Sequence, residues 1–181
     1  MSATQPLAAS ANPAAQPRRP ELSVVVPVHD EADNLPLLVE RLKGVLDGCV
    51  ASWEIVCVDD GSRDGTLSVL RLLHEADPRI NAISFSRNFG KEIAIAAGLD
   101  HASGDAVVIM DADLQHPPET IPVFLAKWRD GFLNVYGQRT DREGEGRLKR
   151  GFAKAFYKLF ASFGETELPE GAGDFRLLDR R

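Results

Sequence analysis

The order of hydrophobic and polar residues along the chain predicts strands that alternate with helices. Runs rich in β-branched residues at 22–27 and 53–58 are typical of strands buried on both faces of a sheet. Between them, residues 31–47 carry leucine and valine at helical spacing, and Gly48 follows as a stop signal. The alternation continues with strands predicted at 80–85, 105–110 and 133–136. Further helices are predicted from an N-cap at Asp64 to His74, and at 89–101, 117–129 and 148–163.

This alternation predicts an α/β fold, in which a mostly parallel sheet is flanked by helices and joined by right-handed βαβ crossovers. The length of 181 residues fits one domain, and a hydrophobic content of 44% is enough for one core. We assign residues 21–181 to that domain. Residues 1–20 are rich in Ala, Pro, Ser and Gln, and we expect them to form a flexible leader.

Composition and charge argue against several classes of protein. No stretch approaches the roughly 18 to 20 apolar residues of a membrane span, and the first residues lack the apolar region of a secretory signal. The formal net charge of -6 argues against nucleic-acid binding by bulk electrostatics. Cys49 and Cys57 have neither the spacing of a zinc site nor that of a disulfide framework, so a reducing cytosol is the expected environment.

Polar side chains follow each of the first four predicted strands. In parallel α/β sheets, ligands bind at the carboxyl ends of the strands, so these side chains are expected to meet at one edge. The four polar segments are 29–31, 59–64, 86–91 and 111–116.

The fourth segment predicts a metal site. Asp111 and Asp113 stand two residues apart at a strand exit and could both reach one hard cation, Mg²⁺ or Mn²⁺. The alternative is that one of them caps the next helix or shapes the turn. Pro117 and Pro118 open that helix four residues later, which weakens the capping interpretation.

The other segments suggest a site for a nucleotide. Of the adjacent Asp59 and Asp60, one is expected to serve the turn at Gly61, while the pair could accept hydrogen bonds from a nucleobase or a ribose. Arg87 and Lys91 could pair with phosphate, or could be ordinary surface cations. His29 and His116 stand at strand ends, where a role in a site and a solvated position are both open. The GxGxxG turn of a dinucleotide-binding fold does not follow the first strand, and a Walker A loop is also absent.

These motifs carry a resemblance to a known family. VVVP at 24–27, DDGS at 59–62, DGT at 64–66 and DAD at 111–113 together resemble the family 2 glycosyltransferases of GT-A fold. FSRNFGK at 85–91, DLQHPPE at 113–119 and GDFRL at 173–177 are similar to the branch that acts on polyprenyl phosphates. The resemblance runs from about residue 22 to residue 181.

The resemblance implies the GT-A fold and a reaction. That reaction is the inverting transfer of a sugar from a UDP- or GDP-sugar to a polyprenyl phosphate. It also implies roles for individual residues. The nucleoside pocket would be lined by Pro27, His29, Glu31 and Asp60. Asp111 and Asp113 would hold the metal on the diphosphate, with Gln115 as a third possible ligand. Arg139 would lie near the donor or acceptor phosphate, and Asp174 and Arg176 near the sugar and the acceptor.

A lipid acceptor implies contact with a membrane surface. Residues 139–158 carry seven basic and three acidic side chains, and the helix predicted at 148–163 places Phe152, Phe156 and Phe160 on one stripe. Such a helix could lie in the headgroup region, or its aromatic residues could pack on the sheet. We therefore expect a cytoplasmic protein peripheral to the inner face of the membrane, or an integral one if the full-length protein has C-terminal transmembrane helices.

Three other hypotheses about the function are compatible with the sequence to different degrees. The acceptor could be soluble or a polysaccharide, or the chain could be a truncated and inactive domain that binds the nucleotide-sugar. A nucleotidyltransferase is disfavoured because the glycine-rich phosphate loop of that class is missing from the N-terminal region.

Overall fold

The computed structural model describes residues 19–138 and 172–181. The strands in this part of the chain are β1 (Leu22–Val28), β2 (Trp53–Asp59), β3 (Ile80–Ser84), β4 (Ala106–Ile109), β5 (Asn134–Gln138) and β6 (Ala172–Asp179). The helices are α1 (Leu35–Cys49), α2 (Thr66–Ala76), α3 (Lys91–His101) and α4 (Ile121–Arg129), and a 3-10 turn at Pro118–Thr120 precedes α4. The predicted leader, apart from its last two residues, and the predicted helix at 148–163 lie outside the described residues.

The described strands form one sheet in the order β3-β2-β1-β4-β6-β5. Strands β3, β2, β1 and β4 are parallel, whereas β6 runs antiparallel to both β4 and β5. The predicted α/β class with a mostly parallel sheet is therefore confirmed. The strand β6 was not predicted, since its sequence was interpreted only as a motif.

The two faces of the sheet are covered by different helices. Alternate residues of β1, such as Val24 and Val26, share a core with α1, α2 and α4. The intervening Val25 packs with Val58 and Ala94 in a smaller cluster under α3. Because every residue of β1 is buried, its continuous apolar run is explained by its central place in a sheet covered on both sides.

The described helices begin one to four residues later than predicted. Helix α1 begins at Leu35 rather than at residue 31, because the backbone N–H groups of Glu31 and Ala32 are bound by side chains at the start of α2 and in the loop before it. Helix α2 begins at Thr66, with Gly65 rather than Asp64 at the N-cap position. The carboxylate of Asp64 still accepts a hydrogen bond from the Thr66 N–H, at 2.9 Å.

Candidate functional site

A cavity of about 350 Å³ opens where β1, β2 and β4 end. The chain passes from β1 outward to β2 and β3 and then returns to β4 on the other side of β1. This is a topological switch point, the place where open α/β sheets bind ligands. The cavity is lined by Pro27, Val28, His29, Glu31, Asp60, Asn88, Gly90, Lys91, Asp111, Ala112 and Asp113.

The loops after β1 and β2 hold each other in place. The N–H of Asp30 donates to the hydroxyl of Ser62 at 2.9 Å, and the Asp30 carboxylate accepts from the N–H of Arg63 at 2.7 Å. The N–H of Glu31 donates to the hydroxyl of Thr66 at 2.9 Å. Asp30 has a φ of 56°, in the left-handed region that costs energy for a residue other than glycine. These bonds fix the backbone that carries His29 and Glu31 into the cavity.

Asp59 supports the turn after β2. Its side chain is buried, and its carboxylate accepts from the Ser62 N–H at 3.0 Å and from the Ser84 hydroxyl at 2.9 Å. It is not among the residues that line the cavity. The structure therefore places Asp59 beneath the site rather than in it.

Asp60 lines the cavity and also holds the loop between β3 and α3. One carboxylate oxygen accepts from the Phe89 N–H at 2.7 Å, and the other accepts from the Gly90 N–H at 2.9 Å. The side chain is buried. The carboxylate that was predicted to meet the nucleoside thus has one structural partner on each oxygen, and each oxygen keeps a lone pair for a ligand.

Gly61 allows the two loops to approach closely. It has a φ of 67°, and a Cβ atom at this position would overlap the backbone of Arg87. An L side chain is therefore excluded by conformation and by space. Contact between the backbones at Gly61 and Arg87 brings the β3–α3 loop to the end of β2.

The ring of His29 is oriented by two groups of this region. Its Nδ1 lies 2.9 Å from the backbone oxygen of Asp60, and because a carbonyl only accepts, Nδ1 carries the proton. Its Nε2 is then the acceptor for the side-chain amide of Asn88, at 3.3 Å. His29 and Asn88 therefore form one polar wall of the cavity.

The opposite wall carries Asp111 and Asp113. Asp111 is half-buried, and its Oδ1 lies 2.7 Å from the Nζ of Lys91. Asp113 is exposed, and its Oδ1 accepts from the backbone N–H of Gln115 at 3.0 Å. Leu114, between Asp113 and Gln115, has a φ of 60°. This turn keeps both carboxylates at the cavity and provides acceptor oxygens for a cation.

The two carboxylates fit a divalent cation of the Mg²⁺ or Mn²⁺ kind. No group of three or more acidic, histidine or cysteine side chains in the described ranges forms an all-protein metal cage. Mg²⁺ in substrate complexes uses only one or two carboxylates and completes its shell with water and phosphate oxygens. The ammonium of Lys91 on Asp111 shows that this position already accommodates a positive charge.

Several predicted site residues are not among those that line the cavity. The guanidinium of Arg87 lies over the ring of Phe89, 4.7 Å from its centroid, and the Gln115 side chain is exposed. Arg176 is half-buried on β6, paired in register with Ile109. Arg139 lies outside the described residues. Of Asp174 only the backbone is described, within β6. The proposed functions of these residues stay predictions.

Some residues that line the cavity were not singled out from the sequence. Asn88, Gly90 and Ala112 all belong to motifs that were noticed, but nothing in their types marked them as facing a ligand. Asn88 follows Arg87 directly, and the charge of Arg87 made it the predicted partner of a phosphate. Only the path of the loop decides which of the two turns inward.

Cys57 is a buried titratable group on β2, two residues before Asp59. Burial raises the pKa of the Cys57 thiol to about 12. The thiol is therefore protonated at neutral pH, and it is a core residue of β2 rather than a nucleophile.

Comparison with known proteins finds chains of similar sequence. The chain is 47% identical over 161 residues to an uncharacterized glycosyltransferase of Synechocystis, which covers 89% of this chain and 51% of that protein. It is 44% identical over 160 residues to the bactoprenol glucosyl transferase of Shigella phage SfV, with coverage of 88% and 52%. The chain thus spans about half the length of the curated relatives that it matches.

Solved structures show the same fold. The mannosyltransferase PcManGT from Pyrobaculum calidifontis, in complex with GDP-Man and Mn²⁺, superposes with a TM-score of 0.61 at 25% identity, covering 91% of this chain and 46% of that one. Glucosyl-3-phosphoglycerate synthase from Mycobacterium tuberculosis gives a TM-score of 0.62 at 22% identity, covering 89% and 57%. The family model described as glycosyl transferase family 2 matches residues 23–181, from the first strand through every element that builds the cavity. This chain therefore belongs to glycosyl transferase family 2.

Proposed function

We propose that the chain binds a nucleotide-sugar with Mg²⁺ or Mn²⁺ and that the protein transfers the sugar to a polyprenyl phosphate at a membrane surface. The observation that carries the proposal is the cavity at the switch point, with Asp111 and Asp113 on one wall and His29 with Asn88 on the other. One wall suits a cation with a diphosphate, and the other offers hydrogen-bonding groups to a nucleoside.

Each wall would have its own part in donor binding. Pro27 and Val28 give an apolar surface beside the imidazole of His29, which suits the base and the ribose. Lys91 lies close enough to Asp111 to reach a phosphate bound there. Asp111 and Asp113 would hold the metal, which would offset the negative charge that develops on the departing nucleoside diphosphate.

The proposed acceptor follows from the names of relatives. Proteins that are 43% to 44% identical to this chain are named bactoprenol glucosyl transferases. A polyprenyl phosphate is already anionic at neutral pH, so it needs positioning and charge screening more than a general base. Strand β6 continues from the Arg176–Ile109 pair back to Ala172, and Asp174 lies on this part of the strand. We therefore keep Asp174 and Arg176 as proposed residues near the sugar and the acceptor, and Arg139 as a proposed residue near the donor or the acceptor phosphate.

The membrane part of the proposal is supported by the sequence. Residues 139–158 combine a local charge of +4 with the aromatic residues of the segment predicted to be helical. Basic and aromatic side chains on one amphipathic segment favour the interface of a membrane with anionic lipids. None of the helices in the described part of the chain is long and apolar enough to cross a membrane.

Calorimetric titration tests the donor site. UDP and GDP are titrated into the protein with Mn²⁺ and with EDTA, and the same titrations are made on an Asp113→Ala variant. We expect one of the two nucleotides to bind with Mn²⁺, and to bind much more weakly with EDTA or in the variant. Binding that is equal with Mn²⁺ and EDTA would contradict the metal site.

A transfer assay on the full-length protein tests the acceptor. Undecaprenyl phosphate in vesicles is offered beside a water-soluble sugar acceptor, with the nucleotide-sugar whose base binds. Sugar recovered on the lipid phosphate is the expected result. Transfer to the soluble acceptor alone would contradict the lipid assignment and leave the donor site intact.

A further inference from the structure

The contact between Lys91 and Asp111 suggests how the metal and the donor become coupled. We infer that Lys91 occupies the cation position at Asp111 before the donor binds, and that a divalent metal ion displaces it toward the diphosphate. This inference rests on the proposed function and adds an order to it, in which the metal releases the lysine that then binds phosphate.

The charges around the cavity make such a device necessary. The lining includes four carboxylates, on Glu31, Asp60, Asp111 and Asp113, against the single ammonium of Lys91 among the described lining residues. A nucleoside diphosphate carries negative charge and would be repelled by this surface. A divalent cation that binds the two carboxylates of the β4 turn neutralises their charge and leaves the ammonium beside the phosphates.

The structure holds the backbone of Lys91 firmly while its side chain stays accessible. The Asp60 carboxylate binds the N–H groups of Phe89 and Gly90, and Lys91 follows as the first residue of α3. Gly90, with a φ of 101°, makes the turn into the helix. The side chain of Lys91 is 39% exposed, so its ammonium can move between two oxygen partners without any backbone change. Asp60 thereby acts as a positioning residue for Lys91.

The strength of the pair is compatible with displacement. Exposed and partly exposed ion pairs contribute little to stability because water screens them and the side chains lose freedom. Asp111 is 23% exposed, which places this pair between the surface and the interior. A competitor of this strength lowers the affinity for a metal ion by roughly fivefold, which a divalent charge overcomes.

A different role for the same contact predicts the opposite sign. If Lys91 served only to orient Asp111, its removal would weaken metal binding or leave it unchanged. If it competes with the metal, removal tightens metal binding in the absence of nucleotide. The direction of the change therefore separates the two roles.

The experiment measures Mn²⁺ binding to the nucleotide-free protein by electron paramagnetic resonance of the free ion. It compares the wild type with Lys91→Met, and uses Arg87→Met as the matched control. Arg87 has the same charge and lies four residues away, but its guanidinium contacts Phe89. We expect Lys91→Met to bind Mn²⁺ roughly fivefold more tightly than the wild type, and Arg87→Met to differ by less than about twofold.

A second titration measures the other half of the coupling. At saturating Mn²⁺, Lys91→Met should bind the preferred nucleoside diphosphate roughly tenfold more weakly, because the phosphates lose a charged partner. In an Asp111→Asn background, the Lys91→Met change should no longer tighten Mn²⁺ binding. Circular dichroism confirms that each variant is folded before titration.

Two results would overturn the inference, and only the second would also contradict the proposed function. If Lys91→Met binds Mn²⁺ no more tightly than the wild type, while the wild type binds nucleotide only with metal, the displacement is wrong and the proposed function stands. If neither protein binds Mn²⁺ with or without nucleotide, both fail.

Discussion

Two acidic pairs, at the ends of the strands on either side of β1, look alike in the sequence and do different things in the structure. Asp59 and Asp60, after β2, are both buried and accept hydrogen bonds from backbone N–H groups. Asp111 and Asp113, after β4, are half-buried and exposed, and both face the cavity. The first pair organises the loops, and the second offers its oxygens to a ligand.

The difference lies in what surrounds each pair. The turn after β2 touches the loops after β1 and β3, so many backbone donors converge on its carboxylates. The segment after β4 meets fewer such groups, and the side-chain cation of Lys91 lies on it instead. A carboxylate next to several backbone N–H groups becomes part of the fold, whereas one paired with a partly exposed side-chain ammonium stays accessible to a ligand.

The largest expected effect is on folding stability, from Asp60→Ala. The substitution removes the carboxylate that accepts from the N–H groups of Phe89 and Gly90, and a hydrogen bond to a charged group contributes about 1.5 to 3 kcal/mol. We expect a loss of about 3 kcal/mol in the free energy of unfolding, measured by urea denaturation. Asp113→Ala is the control from the other pair, and it should change this free energy by no more than about 0.5 kcal/mol. Equal losses in the two variants would remove the distinction between the pairs.

The next effect is on ligand affinity, from Asp113→Asn. Removal of one carboxylate charge should weaken metal-dependent binding of the nucleotide by roughly 30-fold, or about 2 kcal/mol, in calorimetry. Asp33→Asn removes an equal charge from an exposed position outside the cavity and should leave this affinity unchanged. A similar decrease in both variants would show a general field effect rather than a ligand position.

A smaller change is expected from Ser84→Ala. This substitution removes the hydroxyl that donates to the Asp59 carboxylate at 2.9 Å. We expect a loss of about 1 kcal/mol in the free energy of unfolding, the usual net contribution of one hydrogen bond. Ser86→Ala, two residues further along at an exposed position, should be neutral. A neutral Ser84→Ala would mean that the Asp59 carboxylate contributes through the turn at Ser62 alone.

An acid outside both pairs should control part of the pH dependence of stability. Hydrogen bonds from Arg79, together with the ammonium of Lys43, hold the pKa of the Asp77 carboxyl well below its usual range. As pH falls below about 4, the unfolded chain takes up this proton first, so the stabilisation is present above that pH and is lost below it.

Unfolding measured from pH 6 to pH 2 should therefore show a smaller acid-induced loss of stability in Asp77→Asn than in the wild type. Asp77 contrasts with Asp60. The Asp77 carboxylate is paired with the side-chain cations of Arg79 and Lys43, whereas the Asp60 carboxylate accepts from backbone N–H groups. An unchanged acid limb would contradict the role assigned to the cations.

Much of the fold could be predicted from the sequence because the signals are local. The run at 22–27 has no polar alternation, and β1 is a central strand with neighbours on both edges and helices on both faces. Helix α1 was predicted to begin four residues too early, because the bonds that hold Glu31 and Ala32 come from residues more than 30 positions away. Strand β6 was missed because its pairing with β4 and β5 involves even longer separations along the chain.

The sequence predicted a site at the ends of the strands, and the structure shows which residues there line the cavity. The metal pair and His29 belong to motifs whose chemistry is visible in residue types. Asn88 and the structural partners of Asp60 depend on where the β3–α3 loop runs, which is set by contact with Gly61. Residue types therefore indicated the chemistry, and the loop path decided which side chains face the ligand.

The sequence by itself determined the α/β class, the family resemblance and the carboxylate chemistry at the strand ends. These follow from periodicity and from residue types at fixed spacing, which depend only on residues close together in the sequence. Only the tertiary structure decided that Asp59 lies beneath the site, that Asp60 holds the β3–α3 loop, and that Lys91 rests on Asp111. The contacts of Asp59 with Ser84, of Asp60 with Gly90 and of Lys91 with Asp111 join residues 20 or more positions apart. The adjacent Asp59 and Asp60 have different surroundings. Neither fact can be predicted from the spacing of residues along the chain.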